Sequence, residues 1–210
     1  MKCIRVGNTA LYMDATSSYW NDGVFTAINM MPTPIGMQPN DYIINKWEDK
    51  PYGHLDRIGV MSVHDGEHII FALQWVDEES TLGEDEGFPD GVVVAFPVRG
   101  EPHIFSMGSE DEPIHGLHWR ARFNEIRSVV ATGIGSSVDG PEMKLSVKTA
   151  WKDSVWRVVM SRELKTPEGA APLAPGADTQ IGFAVWNGAN EERGGIKAVS
   201  PEWVELNIAP

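Results

Sequence analysis

The stretch MKLSVKTAWKDSVWRVVMSREL, residues 143–164, gives the clearest structural signal in this chain. Apolar and polar residues alternate through 143–151, and the segment 155–164 is likewise rich in strand-forming apolar residues. This period of two, with Val and Trp among the apolar positions, is typical of half-buried β-strands. The connector Lys152-Asp153-Ser154 is short enough for a hairpin. The stretch therefore predicts two neighbouring antiparallel strands.

The same period extends outward along the chain. Further strand-like segments lie at 69–76, 91–98, 180–186 and 203–209, with another candidate at 127–134. Short helices fit only near 35–48 or 187–193. Strands separated by loops rich in Gly and Pro predict an all-β fold with a few short helices, arranged as an antiparallel β-sandwich. No repeat or linker divides the sequence, so we expect residues 1–210 to form a single domain.

Composition excludes several classes of function. Hydrophobic residues make up 42% of the chain and charged residues 22%, as in folded globular proteins. The formal net charge of −13 argues against binding to nucleic acid or to anionic membranes. No apolar run approaches the roughly 18 residues of a membrane helix. Residues 1–14 lack the apolar core of a secretion signal, so we expect either a cytoplasmic protein or one exported folded with a signal-bearing partner.

The single cysteine, Cys3, limits the cofactors that the chain can hold. An intrachain disulfide, a cysteine-ligated iron–sulfur cluster and a four-cysteine zinc site all need more thiols. The sequence also lacks the C-x-x-C-H motif of covalently attached c-type haem. Any haem bound by this chain would therefore be held non-covalently.

Metal sites made of carboxylates or histidines are weakly indicated. The acidic stretch at 77–91 offers oxygen ligands for calcium, but it lacks the EF-hand spacing and is better explained as a solvated loop. The pairs His64/His68 and His115/His118 have spacings that converge on a helix, yet they lie in or beside strand-like segments, where such spacings do not converge. A zinc enzyme that uses these histidines is therefore the least supported hypothesis.

Aromatic, methionine and lysine residues leave two interpretations open. The tryptophans of the strand-like segments could line a flat cofactor cavity or a sugar-binding platform, although we interpret most of them as core. They are Trp75, Trp119, Trp151, Trp156, Trp186 and Trp203. Met107 is one of 9 methionines, which commonly fill cores, and Lys197 has the residue type of a solvated surface group. By themselves these residues do not identify a ligand site.

Two blocks of sequence resemble a known family. The stretch AVWNGANEERGGIKAVS, residues 184–200, is similar to the C-terminal signature of the haem b-binding γ subunits of ethylbenzene dehydrogenase, dimethylsulfide dehydrogenase, selenate reductase and chlorate reductase. The stretch SMGSEDEPIHGLHWRA, residues 106–121, resembles a second block of these subunits. MMPTPIG at 30–36 and DGVVVAFPV at 90–98 also look familial, so the resemblance covers nearly the whole chain.

The resemblance implies one non-covalent haem b in a pocket enclosed by the sandwich. The two axial ligands of the family map onto Met107 and Lys197. A thioether is a soft neutral ligand that favours ferrous iron, and a lysine ligates only as the neutral amine. With both axial positions filled, such a haem transfers electrons and has no site for substrate. His118 is near Met107 in the sequence and is a rival ligand.

The resemblance also implies partners. The chain would be a non-catalytic subunit of a heterotrimeric molybdenum enzyme, with the molybdenum cofactor on an α subunit, iron–sulfur clusters on a β subunit and an external carrier such as a cytochrome c. Members of the ethylbenzene dehydrogenase branch lack an export signal and leave the cytoplasm folded alongside a partner, which would place this chain in the periplasm. A sandwich that binds carbohydrate or another small ligand without haem is the alternative function.

Overall fold

A computed structural model describes residues 1–21, 23–83 and 87–210. The strands are β1 (Lys2–Arg5), β2 (Thr26–Asn29), β3 (Met31–Pro32), β4 (Arg57–His64), β5 (His68–Val76), β6 (Gly91–Pro97), β7 (Ile114–Arg120), β8 (Glu125–Ala131), β9 (Val138–Asp139), β10 (Leu145–Lys152), β11 (Val155–Glu163), β12 (Asp178–Trp186), β13 (Ala198–Val199) and β14 (Val204–Ile208). The helix α1 spans Asp41–Trp47, and short 3-10 helices span Thr9–Tyr12, Ser18–Trp20, Ile35–Met37 and Gly188–Asn190. The predicted all-β fold with a few short helices is confirmed.

The predicted hairpin is present, with a tighter turn than the sequence suggested. β10 and β11 pair from Leu145 opposite Arg162 to Lys152 opposite Val155. Lys152 therefore belongs to the strand, and Asp153 and Ser154 alone make the turn. Their φ angles of 52° and 57° are those of the turn type that matches the twist of the strands it joins.

The strands form two layers that are joined into one continuous hydrogen-bonded sheet. The order is β10-β11-β5-β4-β1-β14-β12-β6-β7-β8-β9. β12 belongs to both layers, because residues 178–181 pair with β14 and residues 182–186 pair with β6. All neighbours are antiparallel except β1, which runs parallel to both β4 and β14. Parallel neighbours need long connections, and β4 and β14 meet this condition because both lie far from β1 in the sequence.

The core lies between the two layers. Alternate residues of β6 and β7 point into it, and residues of β5 and β11 meet them from the other layer: Val92, Val94, Phe96, Leu117, Phe71, Leu73, Val158 and Met160. Trp75, Trp119 and Trp156 complete this core with ring centroids 5.0 to 6.4 Å apart, so our interpretation of these tryptophans as core is confirmed. Trp203 packs on Gly182, while Trp151 is 39% exposed.

The opposite face of β6, β7, β8 and β12 has a different composition. The residues that alternate with the core positions are small or carry the chemistry of the site, and they include Gly91, Val93, Ala95, Gly116 and His118. This outer face is the floor of a cavity. Within the described part of the chain, no helix has both the length and the apolar character needed to cross a membrane.

Candidate functional site

A cavity of about 850 Å³ lies on the outer face of β6, β7, β8 and β12. Loops around Met107, Ile134 and residues 192–197 cover it. The cavity therefore lies against one layer of the sandwich and not between the two layers. Its volume is that of a site for a sizeable organic ligand.

Glycines keep the floor of the cavity flat. A Cβ atom added to Gly116 would come within 3.1 Å of side-chain carbons of Val93 and Val129. A Cβ atom at Gly91 would lie 3.6 Å from both the His118 Nε2 atom and the Trp186 ring. Larger residues at these positions would take up space that a flat ligand could use.

Met107 approaches the cavity from a tight turn. Its amide donates to the Ile104 carbonyl at 3.2 Å, and the Gly133 amide donates to the Met107 carbonyl at 3.0 Å. The φ angle of Met107 is 60°, in the left-handed region that residues with a side chain seldom adopt. These contacts hold the backbone in a strained conformation, and the methionine side chain lines the cavity.

Lys197 enters from the opposite wall, on the segment that leads into β13. Its Nζ atom lies 3.5 Å from the Met107 Sδ atom and 5.0 Å from the centroid of the Trp186 ring. The residue is 5% exposed, and burial lowers the pKa of its amine to about 8. Two side chains that are ninety residues apart in the sequence thus meet across one cavity.

The segment that carries Lys197 is fixed by buried polar contacts. The Glu192 carboxylate accepts hydrogen bonds from the amides of Gly53 at 2.7 Å and Asn187 at 3.0 Å, and from the Asn190 Nδ2 atom at 3.1 Å. The Lys197 carbonyl accepts from the Thr33 amide at 3.0 Å. The lysine backbone is therefore clamped by residues from two distant segments.

Gly53 has a left-handed φ of 63° and packs against the same segment. A Cβ atom there would lie 2.7 Å from the Pro32 Cα atom and 2.9 Å from the Lys197 carbonyl oxygen. Sequence reasoning missed the roles of both Gly53 and Glu192. Glu192 lies inside the familial block at 184–200, which is the one signal that pointed to it.

His118, the rival ligand, lines the same cavity from β7. Its ring stacks on Trp186 with centroids 5.1 Å apart. Burial lowers the pKa of His118 to about 4, and the charges of Arg120 and Lys197 add to this effect. The imidazole is therefore neutral at physiological pH and free of the proton that would block ligation.

The other histidines do not join this site. His115 points to the opposite face of β7, where its ring lies 3.0 Å from the Ser128 Oγ atom. His64 is fully buried, whereas His68 is partly exposed and 3.9 Å from an Asp65 oxygen. Among the described residues, no group of three or more His, Cys, Asp or Glu side chains is arranged to hold a metal ion.

The acidic stretch at 77–91 is described only in part, because residues 84–86 lie outside the described residues. Asp90, at its end, has a structural role. Its carboxylate accepts hydrogen bonds from the Thr81 amide at 2.7 Å, the Gly188 amide at 2.8 Å and the Trp156 Nε1 atom at 3.0 Å. This carboxylate is therefore used to fasten loops to the sandwich.

Comparison with solved structures supports the fold. A family 9 carbohydrate-binding module from Caldicellulosiruptor kristjanssonii, in complex with glucose, superposes with a TM-score of 0.53 and covers 99% of this chain and 95% of its own. The same module in complex with cellotriose gives a TM-score of 0.53. Sequence identity is 7% and 10% in the two cases, so the likeness concerns the fold alone.

Comparison of sequences identifies relatives. A haem subunit of Haloferax mediterranei, ORF7, provisionally assigned to a respiratory nitrate reductase, is 32% identical over 200 residues, which is 93% of this chain and 68% of that protein. The chlorate reductase γ subunit of Ideonella dechloratans is 32% identical over 72% of this chain and 65% of its own length. The dimethylsulfide dehydrogenase γ subunit of Rhodovulum sulfidophilum is 30% identical over 69% of this chain and 57% of its own.

The sequence model named ethylbenzene dehydrogenase matches residues 133–198, a range that includes Lys197 and its supporting segment. This match and the identity to the relatives agree with the resemblance seen in the two sequence blocks. The chain therefore belongs to the ethylbenzene dehydrogenase family, together with the γ subunits of chlorate reductase and dimethylsulfide dehydrogenase.

Proposed function

We propose that this chain is an electron-transfer subunit that binds one haem b non-covalently, with Met107 and Lys197 as the axial ligands. The observation that carries the proposal is the meeting of these two side chains. The Sδ and Nζ atoms face each other at 3.5 Å inside a single large cavity. A soft thioether and a neutral amine are both competent ligands for haem iron.

The residues of the cavity fit a haem. The volume of about 850 Å³ suits a ligand of this size, and the glycine floor leaves room for a flat ring. Apolar side chains make up much of the lining, among them Val93, Val129 and Ile114. The chain has one cysteine, buried in the core, so covalent attachment through two thiols is excluded.

The chain's own groups prepare the site for this ligand. Burial lowers the pKa of Lys197 to about 8, which reduces the free energy needed to present a neutral amine. The contacts of Glu192 and Thr33 hold the lysine backbone in place before any ligand arrives. Haem bound by Met107 and Lys197 would supply reversible one-electron chemistry, and ligation by both side chains would leave no position for oxygen or substrate.

The relatives support a role in a larger complex. Two of them are γ subunits, of chlorate reductase and of dimethylsulfide dehydrogenase. We infer that this chain works with a catalytic α subunit that carries the molybdenum cofactor and a β subunit that carries iron–sulfur clusters. The chain would pass electrons between those clusters and an external carrier such as a cytochrome c. With one cysteine it cannot bind such clusters itself, which is consistent with their location on a partner.

We further propose that the complex acts in the periplasm, where the chain arrives folded with a signal-bearing partner; the cytoplasm is the alternative. Affinity purification of the tagged chain from its native cells, followed by identification of the bound polypeptides, tests the assembly. Recovery of a molybdenum protein and an iron–sulfur protein in equal amounts is expected. Purification of the chain alone from its native cells would contradict the assembly.

An absorption spectrum of the purified chain tests the haem proposal. We expect the bands of a low-spin b-type haem that dithionite reduces. Met107→Ala and Lys197→Ala should each change the spin state or lose the haem. His118→Ala is the matched control from the same cavity wall, and it should remain low-spin. A colourless protein from haem-sufficient cells would reject haem binding, and an unaltered spectrum in Lys197→Ala would reject the axial assignment.

The alternative function is a carbohydrate-binding module without haem, and this chain shares the fold of such a module. The placement of the tryptophans weakens it. Trp75, Trp119 and Trp156 are buried in the core and cannot form a sugar platform, whereas Trp186 lies beside the Lys197 amine. Calorimetric titration with glucose and cellotriose separates the two functions, and binding of either sugar by a colourless protein would favour the module.

A further inference from the structure

One end of the cavity is basic, although the chain as a whole has a formal net charge of −13. Arg120, Arg122 and Arg193 all contribute to the lining there. Arg120 is the last residue of β7 and pairs with Gly91, so it lies at the same end of the floor as Trp186, which also pairs with Gly91. Three guanidinium groups thus gather at one edge of a site that is otherwise largely apolar.

The arginines come from separate segments and are held in different ways. The Arg193 guanidinium carbon lies 4.2 Å from the centroid of the Phe88 ring, and that of Arg122 lies 5.7 Å from the centroid of the Phe123 ring. Arg122 and Arg193 are solvent-exposed, whereas Arg120 is partly buried. The basic groups are therefore at the mouth of the cavity, where a bound group can keep part of its hydration.

Among the described residues, the nearby carboxylates do not neutralise the positive charge of the three arginines. Glu125 accepts from Arg120 at 2.9 Å and from Arg127 at 2.7 Å, so one carboxylate serves two guanidinium groups. Glu192 also lines the cavity, but its two oxygens accept hydrogen bonds from backbone and side-chain amides. As far as the described residues determine it, the mouth of the cavity therefore keeps the capacity to bind anionic oxygens.

The far end of the cavity has the opposite character. Ile104, Ile114, Ala131 and Ile134 line it, and they come from the Met107 turn, β7, β8 and the loop after β8. A carboxylate placed there would lose its hydration without gaining a cationic partner, which is strongly unfavourable. A ligand with an apolar body and an anionic edge can thus bind in one orientation only.

We infer that the arginine end, formed by Arg120, Arg122 and Arg193, binds the two carboxylates of the haem and so fixes which edge of the ring faces the mouth. This inference rests on the proposed function, because it concerns the same cavity and the same ligand. Planar guanidinium groups are suited to carboxylates, with which they form paired hydrogen bonds. The three arginines are binding residues for the acidic edge and take no part in ligation of the iron.

The test compares haem b with its dimethyl ester, which has the same ring and iron but no carboxylate charge. Both are titrated into the apoprotein from the same solvent mixture, and binding is followed by absorption. The parent chain should bind the acid more tightly than the ester. Arg120→Gln, Arg122→Gln and Arg193→Gln should each lower this preference by about two- to fivefold, the range of exposed ion pairs. The triple variant should bind both forms equally.

Arg157→Gln is the matched control, because Arg157 lies on β11 in the other layer, opposite Gln74, and does not line the cavity. The ester provides a control within each variant, since its affinity should not change when an arginine is replaced. Affinity for the ester that falls together with affinity for the acid, at a constant ratio, would show that the arginines act on the shape of the pocket and would overturn the inference.

Two outcomes separate this inference from the proposed function. If the parent binds both forms with equal affinity, or if the triple variant keeps the parent's preference, the arginine end does not bind the carboxylates although the haem site stands. If neither form binds to the parent, the proposed function itself fails. High salt should also narrow the parent's preference, because exposed charge pairs are screened.

Discussion

If Lys197 ligates haem iron as proposed, haem binding should weaken by about a factor of ten for each pH unit below about 8, because the amine must lose a proton before it can ligate iron. Burial lowers the pKa of this amine from 10.5 to about 8. Below about 8 the free protein binds the proton and the complex does not, so protons favour the free state. From pH 8 to pH 6 the affinity should therefore fall about a hundredfold, and above pH 8 it should be nearly constant.

The pH below which the affinity begins to fall measures how far the cavity lowers the pKa of the lysine. One pKa unit corresponds to about 1.4 kcal/mol, so a lysine with its ordinary pKa would need about 5 kcal/mol for deprotonation at pH 7. With the pKa at about 8 the requirement is about 1.4 kcal/mol. Desolvation of the amine thus makes ligation more favourable by about 3 kcal/mol, or more than a hundredfold in affinity.

The assay is a titration of the apoprotein with haem at pH values from 6 to 10, followed by absorption. His118 does not titrate in this window, since its pKa is lowered to about 4. Lys197→Met is the matched control, because a thioether carries no proton, and its affinity should be level through pH 8. An affinity of the parent that keeps rising tenfold per pH unit up to pH 10 would show that the cavity does not lower the lysine pKa. The same slope in the parent and in Lys197→Met would refute lysine ligation.

Three further predictions concern the scaffold, and each is measured by urea denaturation of the apoprotein. Gly53→Ala should destabilise the fold by about 2 kcal/mol or more, because the φ of Gly53 is 63° and the added Cβ would lie 2.9 Å from the Lys197 carbonyl oxygen. In the control Gly36→Ala the added Cβ meets nothing within 4 Å, so stability should change by less than about 0.5 kcal/mol. Equal effects of the two substitutions would contradict this reasoning. Glu192→Ala should lower the free energy of unfolding by about 2–4 kcal/mol, because it leaves three amide donors without an acceptor. Glu192→Gln should lower it by less. Equal losses of stability in the two variants would show that packing decides the effect. Burial and a neighbouring carboxylate raise the pKa of Asp77 from 3.8 to about 6. The contribution of Asp77 to the free energy of unfolding is therefore full below about pH 4 and is lost as the pH rises through 6, a decrease of up to about 3 kcal/mol. Asp77→Asn should remove this decrease, and an unchanged pH profile of stability would contradict the shift.

The strands that the sequence predicted are alternating segments or apolar runs rich in Val, Ile, Phe and Trp. β6 and β10 show alternation of more and less buried residues, whereas β5, β11 and β12 are buried along most of their length and are recognised by their apolar composition. β4 and β7 were not predicted, because Gly, Ser and His interrupt their apolar residues. β7 contains a glycine and two histidines that serve the site or the core, and these residue types weaken any strand propensity. β1 has four residues, and its position follows from pairing with β4 and β14.

The candidate site followed from resemblance and not from pattern. Periodicity shows which residues of a strand share a face, but Met107 and Lys197 lie in loops, whose conformation has no period. The left-handed φ of Met107 is also invisible in the sequence, since the methionine side chain gives no preference for it. The location of the cavity depends on loops that fold over the outer face of β6, β7, β8 and β12. Such coverage is a tertiary event that local preferences do not encode.

The surroundings of Lys197 differ from those of a structural cation. A buried ammonium group is strongly unfavourable unless a carboxylate pairs with it, and structural lysines in proteins have such partners. Among the described residues, the Nζ atom of Lys197 contacts the Met107 thioether and the face of Trp186. A cation over an aromatic ring gains about 0.5 to 2 kcal/mol, which does not offset the desolvation that lowers the pKa to about 8. A carboxylate in this place would have raised the pKa and kept the proton on the amine. The cavity instead brings the neutral amine within about 1.4 kcal/mol at pH 7 and places a thioether beside it, which is consistent with the ligation proposed above.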